Sequence, residues 1–164
     1  MLLAIECIIA CLLFTLMIIP SQIRNPVGHI LSYPKSIRRR AESLPQYQDT
    51  IRQTENRRLS IKIASVIVLA ILLAATAYFS GAADFWSAFR HVFIIFLSVN
   101  LYDVFILDLL FFCHSSKVII PGTEDMVNEY RNPVHHIKGG FAGLAIGTFV
   151  SLLSAGLIAL TKIL

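Results

Sequence analysis

Charge is scarce in this chain of 164 residues. Asp, Glu, Lys and Arg make up 15% of it, hydrophobic residues 56%, and the mean hydropathy is +0.72. A soluble domain carries roughly 25% charge, so this composition excludes an ordinary water-facing surface. Cysteine is also sparse: Cys7, Cys11 and Cys113 are the whole set, and no two form a CxxC pair. That leaves a thiol-redox centre without a basis. Cys7 and Cys11 fall one helical turn apart, a placement that does not aim two Cβ atoms at one disulfide. They read as small packing residues. A basic leader is missing too. The first apolar stretch has no basic segment ahead of it and no small-x-small site before Pro20, and Glu6 interrupts it. It reads as a retained helix, not a secretory signal.

What is present is a set of four long apolar runs, at about 2–19, 61–79, 89–113 and 139–160. Each approaches the ~20 residues that a helix needs to cross a bilayer core. Lipid offers backbone groups no hydrogen-bond partner, so helices are the expected form. The expected fold is an all-α integral membrane protein: a four-transmembrane-helix bundle filling a single domain over 1–164, with two loops, 20–60 and 114–138, that carry short interfacial helices.

The basic residues are distributed unevenly. Arg24, Lys35, Arg38, Arg39, Arg40, Arg52, Arg57, Arg58 and Lys62 belong to the first loop, and Lys117, Arg131 and Lys138 to the second. Only Arg90 and Lys162 belong to the other side. The positive-inside rule puts both loops in the cytoplasm and both termini outside, in a cytoplasmic membrane of bacterial type. The net charge of +4 then reflects topology and attraction to anionic membrane lipids, with no nucleic acid implied. Residues 35–44 predict a basic helix on the inner leaflet. No Gly or Pro occurs from Gln46 to Ser80, which predicts that the second spanning helix starts in the cytoplasm, near Asp49.

Polar residues inside apolar runs point to function, because a carboxylate in hydrocarbon is costly. The third run carries Asn100, Asp103 and Asp108. At 100° per residue, Asp108 points about 140° from Asp103, with Asn100 between them. Asp103 is expected nearer the bilayer middle. These residues predict a polar floor, with Asp103, Asp108 and His136 as the candidate catalytic groups.

A short motif recurs. Arg24-Asn25-Pro26-Val27-Gly28-His29-Ile30 returns as Arg131-Asn132-Pro133-Val134-His135-His136-Ile137. Asn caps helices and Pro suits the first helical position, so each copy reads as a helix start. Such a start can hold an anion. Asn100, Arg24, His29, Arg131 and His135 are therefore the candidate ligand-binding residues. His114, Glu124 and Asp125 in the second loop are of the type that binds a divalent metal, the one cofactor this sequence suggests.

The last run has small residues every four positions: Gly139, Gly143, Gly147 and Ser151. Such stripes let helices approach closely in lipid, and this one predicts a homo-oligomer contact. The functional expectation is a cytoplasm-facing polar site that binds or processes an anionic or phosphorylated lipid-like ligand. Two other expectations stand beside it: an oligomeric proton- or cation-coupled carrier or channel, and an assembly subunit of a membrane complex.

Overall fold

The computed structural model describes residues 1–161, so Lys162 lies outside the described residues. Among the described residues every regular element is helical and none is a strand. The α-helices are α1 (Leu2–Arg24), α2 (Lys35–Glu42), α3 (Gln48–Phe79), α4 (Phe85–Tyr102), α5 (Val127–Tyr130) and α6 (Pro133–Leu160). A π-helix, Asp103–Phe112, continues α4 without a break. Four segments are long and apolar enough to cross a membrane: Leu2–Arg24, Pro45–Phe79, Phe85–Phe112 and Pro133–Leu160. All are longer than their apolar runs, because helix formation continues into polar sequence until a cap or a turn stops it.

The caps explain the boundaries. Asp84 accepts hydrogen bonds from the amides of Trp86 and Ser87, and Ser87 Oγ accepts from the Asp84 amide. This reciprocal pair satisfies amides that would otherwise be orphaned, so α4 starts at Phe85. Asn132 accepts from the Val134 amide at 3.0 Å, with Pro133 in the first turn of α6.

α4 and α6 form the main seam of the bundle. Glycines make the close approach possible. A Cβ at Gly140 would meet Val104 Cγ2 at 2.6 Å, and one at Gly143 or Gly147 would overlap the Asn100 side chain or the Phe96 ring. Gly143 and Gly147, expected at a contact between copies, are therefore covered by α4 of the same chain. Ser151 is fully buried, while Gly139 faces open space. α3 joins through Ala74 and Ala77, packed with Ala88 and Val92 of α4 and with Ala155 and Ile158 of α6. Ser154 Oγ shares its proton between the Ala70 carbonyl of α3 and the Val150 carbonyl of its own helix, each at 2.9 Å, a polar tie of the kind that holds helices together in lipid. α1 is peripheral. No residue in its most apolar window is buried, and it packs mainly along α4.

The two loops fold together into a cap at one end of the bundle. Val27, Ile30, Tyr33, Ile37, Ala41, Ile51, Ile120 and Tyr130 form its core. α2 therefore packs Ile37 and Ala41 inward and keeps Lys35, Arg39 and Arg40 exposed. Buried hydroxyls are satisfied. Tyr33 donates to the Val118 carbonyl at 2.8 Å. Thr123 donates to the Ile120 carbonyl, so the Tyr130 hydroxyl donates to Thr123 Oγ1 and accepts from the Ile120 amide. That closed ring holds the 120–130 loop in place.

Candidate functional site

The polar cluster lies where the π-helix meets the start of α6. His136 Nδ1 is 3.1 Å from Asp108 Oδ1, and both side chains are largely covered. Asp103 lies within electrostatic range of both. The π conformation is the reason. Its bonds join residues five apart, as in the Cys113 amide to the Asp108 carbonyl at 2.9 Å. Asp103 and Asp108 are five apart, so this winding draws them toward one side. The 140° separation expected from α geometry does not apply. The π-helix is rare, and where it occurs it is frequently at a functional site.

Asp103 follows the 18 residues of α4 and opens the π-helical part of the continuous helix Phe85–Phe112.

The other candidate residues divide between structural ties and free positions. Asn100 Nδ2 donates to the Gly140 carbonyl at 3.2 Å and ties α4 to α6. His135 Nε2 donates to the Ser32 carbonyl at 2.8 Å. A carbonyl can only accept, so that nitrogen carries the proton. His29 Nε2 bonds Ser21 Oγ at 2.8 Å, and burial pushes its pKa below the ordinary value. Arg24 and Arg131 are exposed.

The two copies of the motif meet, since Ser32 ends the 3-10 helix Val27–Ser32 that follows the first copy. Their starts differ. Asn132 opens a 28-residue helix, whereas Asn25 accepts from the Gly28 amide and opens only the short 3-10 turn. A Cβ at Gly28 would meet Asn25 Nδ2 at 2.5 Å, which explains why glycine stands where the second copy has His135.

The three candidate metal ligands are not gathered. Among the described residues no group of three His, Cys, Asp or Glu side chains converges on one point. His114 is exposed and donates from Nδ1 to the Leu109 carbonyl, while Glu124 accepts from the Gly122 amide in its own loop. Asp125 is exposed. The first two are engaged by local backbone.

A second polar cluster escaped sequence reasoning. Glu6 Oε2 and His91 Nε2 lie 2.7 Å apart at the other end of the bundle, and Ser80 Oγ donates to Glu6 Oε1. Both facing atoms are sealed from solvent, and although they are close the contact lacks hydrogen-bond geometry, so it is an ion-pair proximity only. The signal was an acid near the start of the first apolar run and an imidazole near the start of the third, but only packing pairs them. Between the two clusters, Tyr102 donates to Thr15 Oγ1 at 2.9 Å, Thr15 having given its own proton to the Cys11 carbonyl.

A cavity of about 710 Å³ between α3 and α6 lies at this second end, among Ala74, Tyr78, Phe79, Ala82 and Leu157. It is apolar and remote from the Asp103 cluster. No family model, curated protein or solved structure matches this chain.

Proposed function

We propose that this chain is a membrane protein that binds or processes an anionic or phosphorylated lipid-like ligand at the cap end of its bundle. The observation that carries the reading is the Asp108–His136 pair with Asp103 beside it, where the π-helix meets the start of α6. Asp108 pairs with His136, and Asp103 adds a second carboxyl nearby, so the cluster offers two acids to one imidazole. Such a set suits a proton, a divalent cation or a ligand ammonium group. A cation held there would in turn attract a phosphate. His136 and Asp108 would exchange protons with the ligand, and the exposed Arg24 and Arg131 are free to meet its anionic part. The basic cap then faces the cytoplasm and both termini lie outside.

The test compares lipid extracts of membranes carrying wild-type, Asp103→Asn, Asp108→Asn or His136→Gln chains, together with Mn²⁺ binding to each purified protein. A headgroup species that changes with wild type alone, or Mn²⁺ bound by wild type alone, supports the reading. Identical lipid profiles and identical Mn²⁺ binding in all four overturn it.

One observation favours the proton-coupled alternative: His–carboxylate pairs occur at both ends of the same spanning helix. Proteoliposomes that acidify in response to a potential, and lose this with Glu6→Gln and with Asp103→Asn alike, would select that alternative.

A further inference from the structure

His135 and His136 are neighbours in the first turn of α6, and His136 is the one that pairs with Asp108. Successive side chains on a helix diverge by about 100°, so adjacent rings do not ordinarily face each other. Here the two meet. Their centroids are 5.6 Å apart and their planes cross at 78°, the edge-to-face arrangement that ring pairs favour. His135 is also held from the far side, where its Nε2 donates to the Ser32 carbonyl at 2.8 Å. Its ring is thus fixed at both ends, by its own backbone in α6 and by the cap.

The anchor is firm. Ser32 ends the 3-10 helix Val27–Ser32 and lies between Ile30 and Tyr33, both buried in the cap core. Tyr33 donates to the Val118 carbonyl, and Ser36 Oγ donates to Glu129 Oε2 at 2.7 Å. Both bonds tie the first loop to the second, so the Ser32 carbonyl moves only if the cap moves.

His136 is held more lightly. Among the described residues its side chain has one polar neighbour in contact, Asp108 Oδ1 at 3.1 Å from Nδ1. That contact fixes one point of the ring, and the His135 ring supplies the second. The other copy of the motif makes the comparison. His29 stands where the second copy has His136, and Gly28 stands where it has His135. With no ring beside it, His29 turns Nε2 to its partner, Ser21. With His135 beside it, His136 turns Nδ1 to Asp108.

We propose that His135 is a positioning residue, which holds the His136 ring with Nδ1 toward Asp108 and leaves Nε2 for the ligand. An acid facing Nδ1 places the proton of the neutral ring there and the lone pair on Nε2. A lone pair at a fixed place is what a proton acceptor in a binding site needs. The part played by a ligand rests on the functional reading above. The ring lock stands on the contacts of His135.

NMR of nitrogen-labelled histidine tests the lock in the full chain in micelles, at a pH where the rings are neutral. A protonated ring nitrogen and a bare one give well-separated signals, and His136→Gln identifies the pair that belongs to His136. In wild type the protonated nitrogen should be Nδ1. His135→Ala should mix the two protonated forms, so that the two signals converge. His135→Phe keeps a ring without the donor to Ser32 and should fall between. Asp108→Asn should also make them converge. The His29 signals should stay in place throughout, and if His135→Ala disturbs them, His135→Phe decides. A purely structural His135 would lower the unfolding temperature on replacement and leave the His136 signals apart. That result overturns the proposal, as does a wild-type proton on Nε2 or an Asp108→Asn variant with unchanged signals. Converging signals in His135→Ala, with lipid profile and Mn²⁺ binding unaltered by His136→Gln, would sink the functional reading and leave the positioning role standing.

Discussion

Glu6 and His91 show how much can hang on a single pair in this setting. Each faces the other at 2.7 Å with little water in reach. Removing one partner leaves an uncompensated polar group in a lipid-facing seam. His91→Ala should destabilise the protein by about 3 kcal/mol. Adding Glu6→Gln to it should recover part of that loss, because the stranded acid is gone. Unfolding in mixed micelles would measure both, and strictly additive costs would remove the pairing argument. The Tyr33 phenol offers a pH test. Burial pushes its pKa up to about 12 from 10.0. Above pH 10 the unfolded chain therefore loses this proton before the folded one, and stability should fall between about pH 10 and pH 12. Tyr33→Phe should flatten that alkaline limb. At neutral pH it should cost about 1–2 kcal/mol, because the buried Val118 carbonyl loses its donor. His29 acts on the acid side. Its folded pKa lies below the ordinary 6.5, so as pH falls through 6.5 the unfolded state takes up the proton first and stability declines. His29→Gln should remove that decline from a thermal-unfolding series.

Glycine substitutions test the α4–α6 seam as an element. Gly143→Ala and Gly147→Ala would each press a methyl into Asn100 or Phe96. Overpacking of this kind costs roughly 1–3 kcal/mol. Gly139→Ala and Gly156→Ala meet nothing within 4 Å. Those two should be neutral, or gain up to about 1 kcal/mol from helix propensity. A thermal shift series that ranks the four alike would disprove the seam. The glycine spacing was visible in the sequence, but not the helix that fills it. Spacing reports a face, while the partner on that face depends on how α6 is rotated against α4. The repeated motif shows the same division. Its Asn–Pro starts were readable because capping is local. The meeting of His135 with Ser32 joins residues 103 apart and was not.

At the scale of the whole molecule, the asymmetry of Lys and Arg makes a topological prediction. Cysteines placed at Ser43 and Asp125 should be labelled by an impermeant reagent only from the cytoplasmic side, and one at Gly81 only from outside, all in a chain with its native cysteines replaced. Labelling of Ser43→Cys and Gly81→Cys from the same side would defeat the proposed orientation. Four spans, their order and the basic end follow from hydropathy and charge, which add up along the chain and need no knowledge of contacts. The tertiary structure decided the rest: α1 at the periphery, the cap built from both loops, and the partners of the buried polar groups. A π-helix moved Asp103 and Asp108 to one side, and packing joined Glu6 to His91. Which polar atoms meet depends on helix phase, register and tilt together. A few ångströms in any of these changes the partner, while local composition stays the same.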